Sequence, residues 1–408
     1  MTTTDRSVDW ATRPAPADSA GWVARASEVA TILAADAVAR ERAGRTPHAE
    51  VQLLKDAGLV TLLGPAEHGG GGQDWTTAYR VIREVATGDG SIGQLIGYHY
   101  LWAWAARLVA TPEQIAAVEE QASRERWFFG GAVNPRDNDL TITDEGDELV
   151  FNGRKSFSTG SKISDVTVLE GVLTGTDKHI FAIVPSVQEG IVFNDDWDNL
   201  GQQLTESGSV EIRGVRVPWA QAAGYVGKEF QPRTYNTLNV PLIQLVFTNF
   251  YLGIARGALT TATAYTRERT RPWPYGGDNK DSATEEFYIL ETYGDLQAKL
   301  WAAEALAERA AASIEAINAH ADSVTERERG EAAVVIAAAK QRAIDTGLEI
   351  GSRVFEVTGA RASANSVGLD IFWRNIRTHS LHDPVAYKRA EVGRYALLGE
   401  LPEPTWYT

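Results

Sequence analysis

The sequence contains no cysteine and only one methionine. Disulfides, thiolate metal sites and a cysteine nucleophile are therefore excluded, and no metal site is expected. Positive charge is also scarce: 39 Lys and Arg stand against 54 Asp and Glu, a formal net charge of -15. Nucleic acid or an anionic membrane would be repelled except at local basic patches, such as the arginines at 267 to 271 and 374 to 377. The opening MTTTDRSVDW has no basic region leading into an apolar run. No stretch approaches the roughly 20 apolar residues of a membrane span. The expectation is a cytoplasmic protein with no membrane and no nucleic-acid partner.

What is present is ample apolar material. The 408 residues are 44% apolar and 23% charged, enough for one large core or two to three packed domains. Residues 1 to 19 are rich in Pro, Thr, Ala and Asp and read as an arm or surface strap. A 3.6-residue period begins near Trp22 and recurs at about 47 to 58, 74 to 88, 91 to 109 and 112 to 123. From about 127 to 218 the period becomes 2, in runs such as ELVFNG, VTVLEGVLT, HIFAIVPS and SVEIRGVRVP separated by turn residues. Beyond 239 the helical pattern returns at about 240 to 271, 284 to 321 and 325 to 358, with the alanine and leucine content of a bundle. The fold class expected is mainly α with a central all-β domain. Its parts are an N-terminal helical domain over 1 to 125, a β-sandwich or barrel over 126 to 220, and a four-helix-type bundle over 221 to 408.

Two glycine motifs invite a nucleotide reading, and neither sustains it. Gly88, Gly90 and Gly93 spell G-x-G-x-x-G, but TAYRVIREVAT before them has helical periodicity, so a helix C-cap and turn are expected rather than a dinucleotide fold. The four glycines at 69 to 72 are flanked by helical segments and read as a loop. Unusual chemistry concentrates instead at 372 to 388, FWRNIRTHSLHDPVAYK. His379 and His382 share a face if the segment stays helical to Pro384, which marks a break between two helices. Imidazoles near neutrality suit acid/base work or the holding of a reactive oxygen species. A capped helix end with surface histidines is the bland alternative.

The order of helices, β segment and helices, with motifs in matching places, resembles the acyl-CoA dehydrogenase superfamily. Residues 54 to 75 resemble its LGLLG…PEEYGG segment, LVFNGRKSFSTGSKISD its flavin segment, and LTESGSVEIRGVRVP the strand segment that follows. Within it, DGSIGQLIGYH at 89 to 99, NDDW at 194 to 197, QLVFTNFYLGIARGAL at 244 to 259, RPW at 271 to 273 and FWRNIRTHSLHDP resemble the two-component flavin-dependent monooxygenases of the dibenzothiophene monooxygenase type, including indole-hydroxylating members. LHDP stands where many dehydrogenases carry the catalytic Glu of IYEG. Asp383 is one methylene shorter and followed by a rigid proline, and His382 is what the monooxygenases carry.

The resemblance implies an enzyme that receives reduced flavin, FADH2 or FMNH2, from a separate NAD(P)H:flavin reductase. With O2 as co-substrate it would act through a C4a-hydroperoxyflavin on a small aromatic heterocycle of indole or thiophene type, as a homotetramer. It implies catalytic roles for His382, Thr159, Tyr98 and Asp383. Flavin contacts are implied for Phe157, Thr159, Trp197, Asn375 and His382, and phosphate contacts for Arg271, from a neighbouring subunit, and Arg361, since a guanidinium fork suits phosphate. Gln94 and Ala132 replace a His and an Asn of dibenzothiophene monooxygenase. Glu356 replaces the dehydrogenase Gln that reaches the adenosine of FAD, which leaves FMN or FAD open. Bland readings stand beside these: Tyr98, Tyr100, Trp102 and Trp104 as packed core, Trp197 as a loop anchor, and Arg267, Arg269 and Arg271 as a solvated face. Two other functions remain: an acyl-CoA dehydrogenase or oxidase with Asp383 as base, and a non-catalytic flavoprotein subunit.

Overall fold

The computed structural model describes residues 8–134, 139–275 and 279–405. Of the N-terminal arm, Trp10 is buried, with the Arg25 guanidinium 5.7 Å from its ring centroid. Helix starts follow short polar side chains that accept otherwise unpaired backbone N–H groups. Asp18 accepts from Gly21 and opens α1 (Ser19–Ala34), which is followed by the short α2 (Ala37–Ala43) and α3 (His48–Asp56). Asp74 accepts from Thr77 to open α4 (Trp75–Gly88), and Asp89 accepts from Ser91 and Ile92 to open α5 (Gly90–Val109). Thr111 and Gln114 form a reciprocal capping box for α6 (Pro112–Glu125).

The G-x-G-x-x-G stretch is thus a junction between two helices, as its periodicity predicts. Its glycines serve close packing: a Cβ on Gly88 would lie 2.1 Å from the Ala30 carbonyl oxygen, and one on Gly93 2.4 Å from the Ala86 Cβ. The glycines at 69–72 form a loop, held by Gly71 N donating to Thr61 O and Gly72 N to Gly64 O.

The β segment contains β1 (Phe129–Ala132), β2 (Leu140–Asp144), β3 (Glu148–Lys155), β4 (Val166–Leu173), β5 (His179–Pro185), β6 (Ile191–Phe193) and β7 (Val210–Pro218). Among the described residues these make one seven-stranded mixed sheet, ordered β1-β4-β2-β3-β7-β6 with β5 on the other edge of β4. A two-stranded ribbon, β8 (Tyr225–Val226) and β9 (Glu229–Phe230), follows. β1 escapes a period-2 reading because FGGA is buried on every residue and shows no alternation.

The C-terminal part consists of α7 (Asn239–Arg269), α8 (Phe287–Asn318), α9 (Glu326–Thr358), α10 (Asp370–His379) and α11 (Val385–Leu398). α7 packs along α9 and is crossed by α4 and α5, so helices from both ends of the chain share one hydrophobic core while the sheet keeps its own. Contrary to the expectation that no stretch approaches membrane length, the helical stretch Thr234–Arg269 is long and apolar enough to cross one. Its most apolar window is 89% buried inside the protein, which is what a central core helix requires.

Candidate active site

α10 ends at His379, five residues before Pro384, and Pro384 caps α11. The break falls where proline predicts it, but the helix does not reach it. His382 therefore sits on a turn, in which its N–H donates to the His379 carbonyl at 2.9 Å. That turn preserves the i, i+3 relation: the two imidazoles stack at 5.6 Å with planes 16° apart.

His379 is the buried member of the pair. Its Nε2 lies 3.0 Å from the Tyr98 hydroxyl on α5 and its Nδ1 2.6 Å from the Tyr251 hydroxyl on α7. Phe247 and Phe250 meet its ring edge to face at 4.5 and 4.8 Å. Burial, then the neighbouring His382 and Lys340, hold this imidazole well below its ordinary pKa. It is therefore neutral, with one N–H: one tyrosine accepts from it and the other donates to the bare nitrogen. Burial also raises both phenols, with the Asp383 charge adding to the effect.

His382 is half exposed and packs 4.9 Å from Phe247. Its Nδ1 lies 3.4 Å from the Asp383 carboxylate, and its Nε2 has no partner among the described residues. Asp383 is itself bound by Lys340, a buried lysine of α9 whose ammonium lies 5.4 Å from the Phe247 ring centroid. Burial works against the Asp383 charge. The hydrogen bond from His382 and the charge of Lys340 outweigh it and hold the carboxyl well below the usual range. A carboxylate so stabilised is a weak proton acceptor, which argues against Asp383 as the base of a dehydrogenase.

A second candidate surface comes from the loop after β3. Phe157 is 65% exposed with a left-handed backbone (φ 58°), and its ring meets the edge of Trp197 at 6.2 Å. An exposed aromatic in a conformation unfavourable for a side-chain-bearing residue is a feature that a binding surface explains and a core does not. Trp197 Nε1 donates to the Gln202 carbonyl at 2.8 Å.

Thr159 is buried, and its hydroxyl is engaged: Oγ1 lies 2.9 Å from Ser207 Oγ, which lies 2.8 Å from Thr205 Oγ1, which donates to Gln202 O. All three contacts are satisfied only if Thr159 donates to Ser207 and Ser207 to Thr205. The Thr159 N–H donates to the Phe157 carbonyl. The Thr159 hydroxyl and backbone N–H therefore both donate inside the loop, and only oxygen lone pairs remain for a ligand.

Asn375 likewise does not open onto this surface. It is buried and accepts from Gln202 N at 2.7 Å, tying α10 to the loop that carries Trp197.

The two arginines are elsewhere. α7 runs 18 residues from Tyr251 to Arg269, about 27 Å at 1.5 Å per residue, and exposed Arg271 lies beyond its end. Thr270 Oγ1 donates to the Thr358 carbonyl, so Arg271 and exposed Arg361 share the far end of the bundle, away from the histidine pair of their own chain. Glu356 is paired with Arg353 at 3.2 Å.

Tyr251, Phe247 and Lys340 are site residues that sequence reasoning missed. The aromatics lie in a helix whose every face reads as core, and Lys340 is a lone lysine in an alanine-rich run. His379 was visible only as one half of a pair. His99, by contrast, is structural: Nε2 lies 2.7 Å from Val60 O and Nδ1 accepts from Phe129 N, with burial lowering its pKa to about 4.

Comparison with known proteins fits this geometry. Residues 24–122 match the acyl-CoA dehydrogenase N-terminal domain and residues 245–386 the acyl-CoA dehydrogenase C-terminal domain. These define the class, an acyl-CoA dehydrogenase fold. A dibenzothiophene monooxygenase of Rhodococcus erythropolis is 39% identical over 406 residues, covering 96% of this chain and 97% of the relative. Methanesulfinate monooxygenase MsuC from Pseudomonas fluorescens superposes with a TM-score of 0.91 at 38% identity, covering 95% of this chain and 99% of that one. TdsC from Paenibacillus sp. A11-2, in a complex with FMN and indole, superposes with a TM-score of 0.89 at 38% identity, covering 95% and 100%. The chain belongs to the acyl-CoA dehydrogenase superfamily, in its flavin-dependent monooxygenase branch.

Proposed function

We propose that the protein is a two-component monooxygenase that takes reduced FMN from a separate NAD(P)H:flavin reductase and uses O2 to oxygenate a small aromatic heterocycle of indole or thiophene type. The observation that carries this is the imidazole of His382, with Nδ1 toward a carboxylate locked by Lys340 and Nε2 unpartnered on an aromatic-walled surface. The site fits a flavin: the exposed Phe157 ring and the edge of Trp197 offer a flat apolar face. Reduced flavin, when bound, supplies the activation of O2.

The chain's own residues do the rest. Asp383 keeps the His382 N–H on Nδ1, which leaves Nε2 to accept or hold a proton at the reacting oxygen. Tyr98, Phe247 and Phe250 exclude water from that side, and a dry site strengthens each polar contact made there. Thr159 offers oxygen lone pairs rather than a donor. Lys340, the buried cation in this cluster, is bound to Asp383, so the walls suit a neutral ring better than an alkyl sulfinate. Arg271 and Arg361, distant within one chain, would reach the flavin phosphate of a neighbouring subunit in a cytoplasmic homotetramer. FADH2 is the alternative flavin.

The test supplies the protein with an NADH:flavin reductase, FMN, O2 and either indole, dibenzothiophene or methanesulfinate, and analyses the products. An oxygenated ring is expected; no product from any aromatic heterocycle would overturn the reading. His382→Ala is expected to divert most of the oxygen consumed into hydrogen peroxide. Product coupling equal to that of the wild type would remove His382 from the mechanism.

A further inference from the structure

Along α8, Glu304, Glu308 and Glu315 follow one another at i, i+4 and i+11, so they share one face of the helix. The fold answers the first two with arginines: Arg256 lies 2.6 Å from Glu304, and Arg80 and Arg83 lie 2.7 and 3.1 Å from Glu308. Two turns further on, Glu315 meets a cleft instead. This cavity of about 390 Å³ opens between the start of α4, the end of α5 and the end of α8, with Asp74, Trp75, Trp104, Arg233, Glu315 and Asn318 in its walls. Its volume is that of a small-molecule site. It is separate from the histidine pair: Trp104 lies six residues beyond Tyr98 on α5, about 9 Å along the axis and on a different face.

The cations near the cleft are already engaged. Arg233 donates to the Arg107 carbonyl at 3.2 Å and lies 3.4 Å from Asp322, and Arg107 forks onto Glu119. Arg80 feels the Asp74 charge but is bound to Glu308. The Glu315 carboxyl faces the Trp75 backbone N–H and the Asn318 amide, while its Oε2 is buried and accepts no hydrogen bond. Burial, and then the Asp74 charge, raise its pKa. A buried carboxylate oxygen without a donor is costly, and a bound cation removes that cost.

The walls also define what kind of cation fits. Among the described residues no group of three His, Cys, Asp or Glu side chains could hold a metal ion. The apolar part of the cleft is indole, with Trp75 and Trp104 meeting edge to face at 5.8 Å. Carboxylates on one side and aromatic rings on the other suit a cation that carries an apolar body. We infer that the cleft is a second ligand site, for a small organic ammonium ion whose N–H groups meet Glu315 and Asp74 and whose alkyl part lies against Trp75 and Trp104. The inference does not depend on the monooxygenase reading.

Butylammonium chloride is titrated into the intact protein by calorimetry, with sodium chloride at equal ionic strength as the control. Saturable binding is expected for butylammonium and not for sodium. The ammonium ion itself is expected to bind at least about tenfold more weakly, since each methylene buried against the rings is worth about fourfold. Glu315→Gln keeps the shape of the wall and removes the charge, and is expected to weaken butylammonium about tenfold or more. Asp74→Asn, which retains a side chain able to cap α4, is expected to weaken it less. Ala319→Trp, at an exposed position of the cleft wall, is expected to abolish binding by filling the space. His382→Ala is expected to bind butylammonium as the wild type does. No saturable binding by the wild type overturns the inference, as does full affinity in Glu315→Gln. Loss of binding in His382→Ala would place the ammonium beside the histidines and overturn it equally. Should Glu315→Gln not fold, Ala319→Trp decides, because full affinity in that variant puts the ligand outside the cleft.

Discussion

Replacing Asn375 by alanine removes the buried side-chain tie between α10, which carries His379, and the loop that carries Trp197, and leaves the exposed one from Arg374 Nη1 to the Leu200 carbonyl. Asn375 Oδ1 accepts from the Gln202 N–H at 2.7 Å, and both residues are buried. Gln202 sits in a left-handed conformation (φ 56°), and its carbonyl accepts from Trp197 Nε1 and Thr205 Oγ1. Alanine offers no acceptor, so the Gln202 N–H is left buried and unpaired, at a cost of about 1–3 kcal/mol. A residue held in a left-handed conformation needs such constraints to stay there, so the loop is expected to relax and carry Trp197 away from Phe157.

If about 1.4 kcal/mol of that loss is expressed in the flavin site, FMN affinity falls about tenfold. Urea unfolding followed by tryptophan fluorescence reads the first quantity, and FMN titration by flavin fluorescence the second. Stability lost with FMN affinity intact would show that the tie only holds the helix in place. Unchanged stability would mean that the bond is not made in solution.

Other perturbations test separate parts of the site. Lys340→Met leaves the Asp383 charge with only the His382 contact and is expected to cost about 3 kcal/mol, whereas Lys340→Met combined with Asp383→Leu should recover much of that. Additive effects in the urea-unfolding cycle would deny the pair. Glu41 is buried, and burial together with the nearby Asp89 charge raises its pKa to about 7. A carboxyl whose folded pKa is raised stabilises most below the unfolded value near 4.5, and that contribution is lost as the pH rises through about 7. Glu41→Gln is therefore expected to gain on the wild type between pH 5 and pH 8, by up to about 3 kcal/mol at 1.36 kcal/mol per pH unit. Parallel stability curves for the two proteins would refute this.

Several parts of the site were legible because they depend on local chemistry. Pro384 marked a helix boundary and caps α11, although α10 stops earlier at His379, and the two histidines three residues apart stack across the turn. The FGGA strand was not legible, since full burial leaves no alternation to read. Thr159 and Asn375 were singled out as flavin contacts, but the Thr159 hydroxyl and N–H donate within their own loop and the Asn375 oxygen accepts from Gln202. Whether a hydroxyl or amide faces a ligand or its own loop depends on neighbours such as Ser207 and Gln202, which no local pattern announces.

The order of helices and strands, the absence of a dinucleotide fold and the place of the histidine pair follow from periodicity, turn residues and motif resemblance, which act over a few residues at a time. Only the tertiary structure decided that Asp383 is held by Lys340, 43 positions away in the chain, that Tyr98 and Tyr251 grip His379 from two helices, and that Arg271 stands far from its own chain's histidines. The reason is physical: charge state and hydrogen-bond direction are set by what lies within about 3 Å across a packed core, and the partners on the far side of that core belong to distant parts of the sequence.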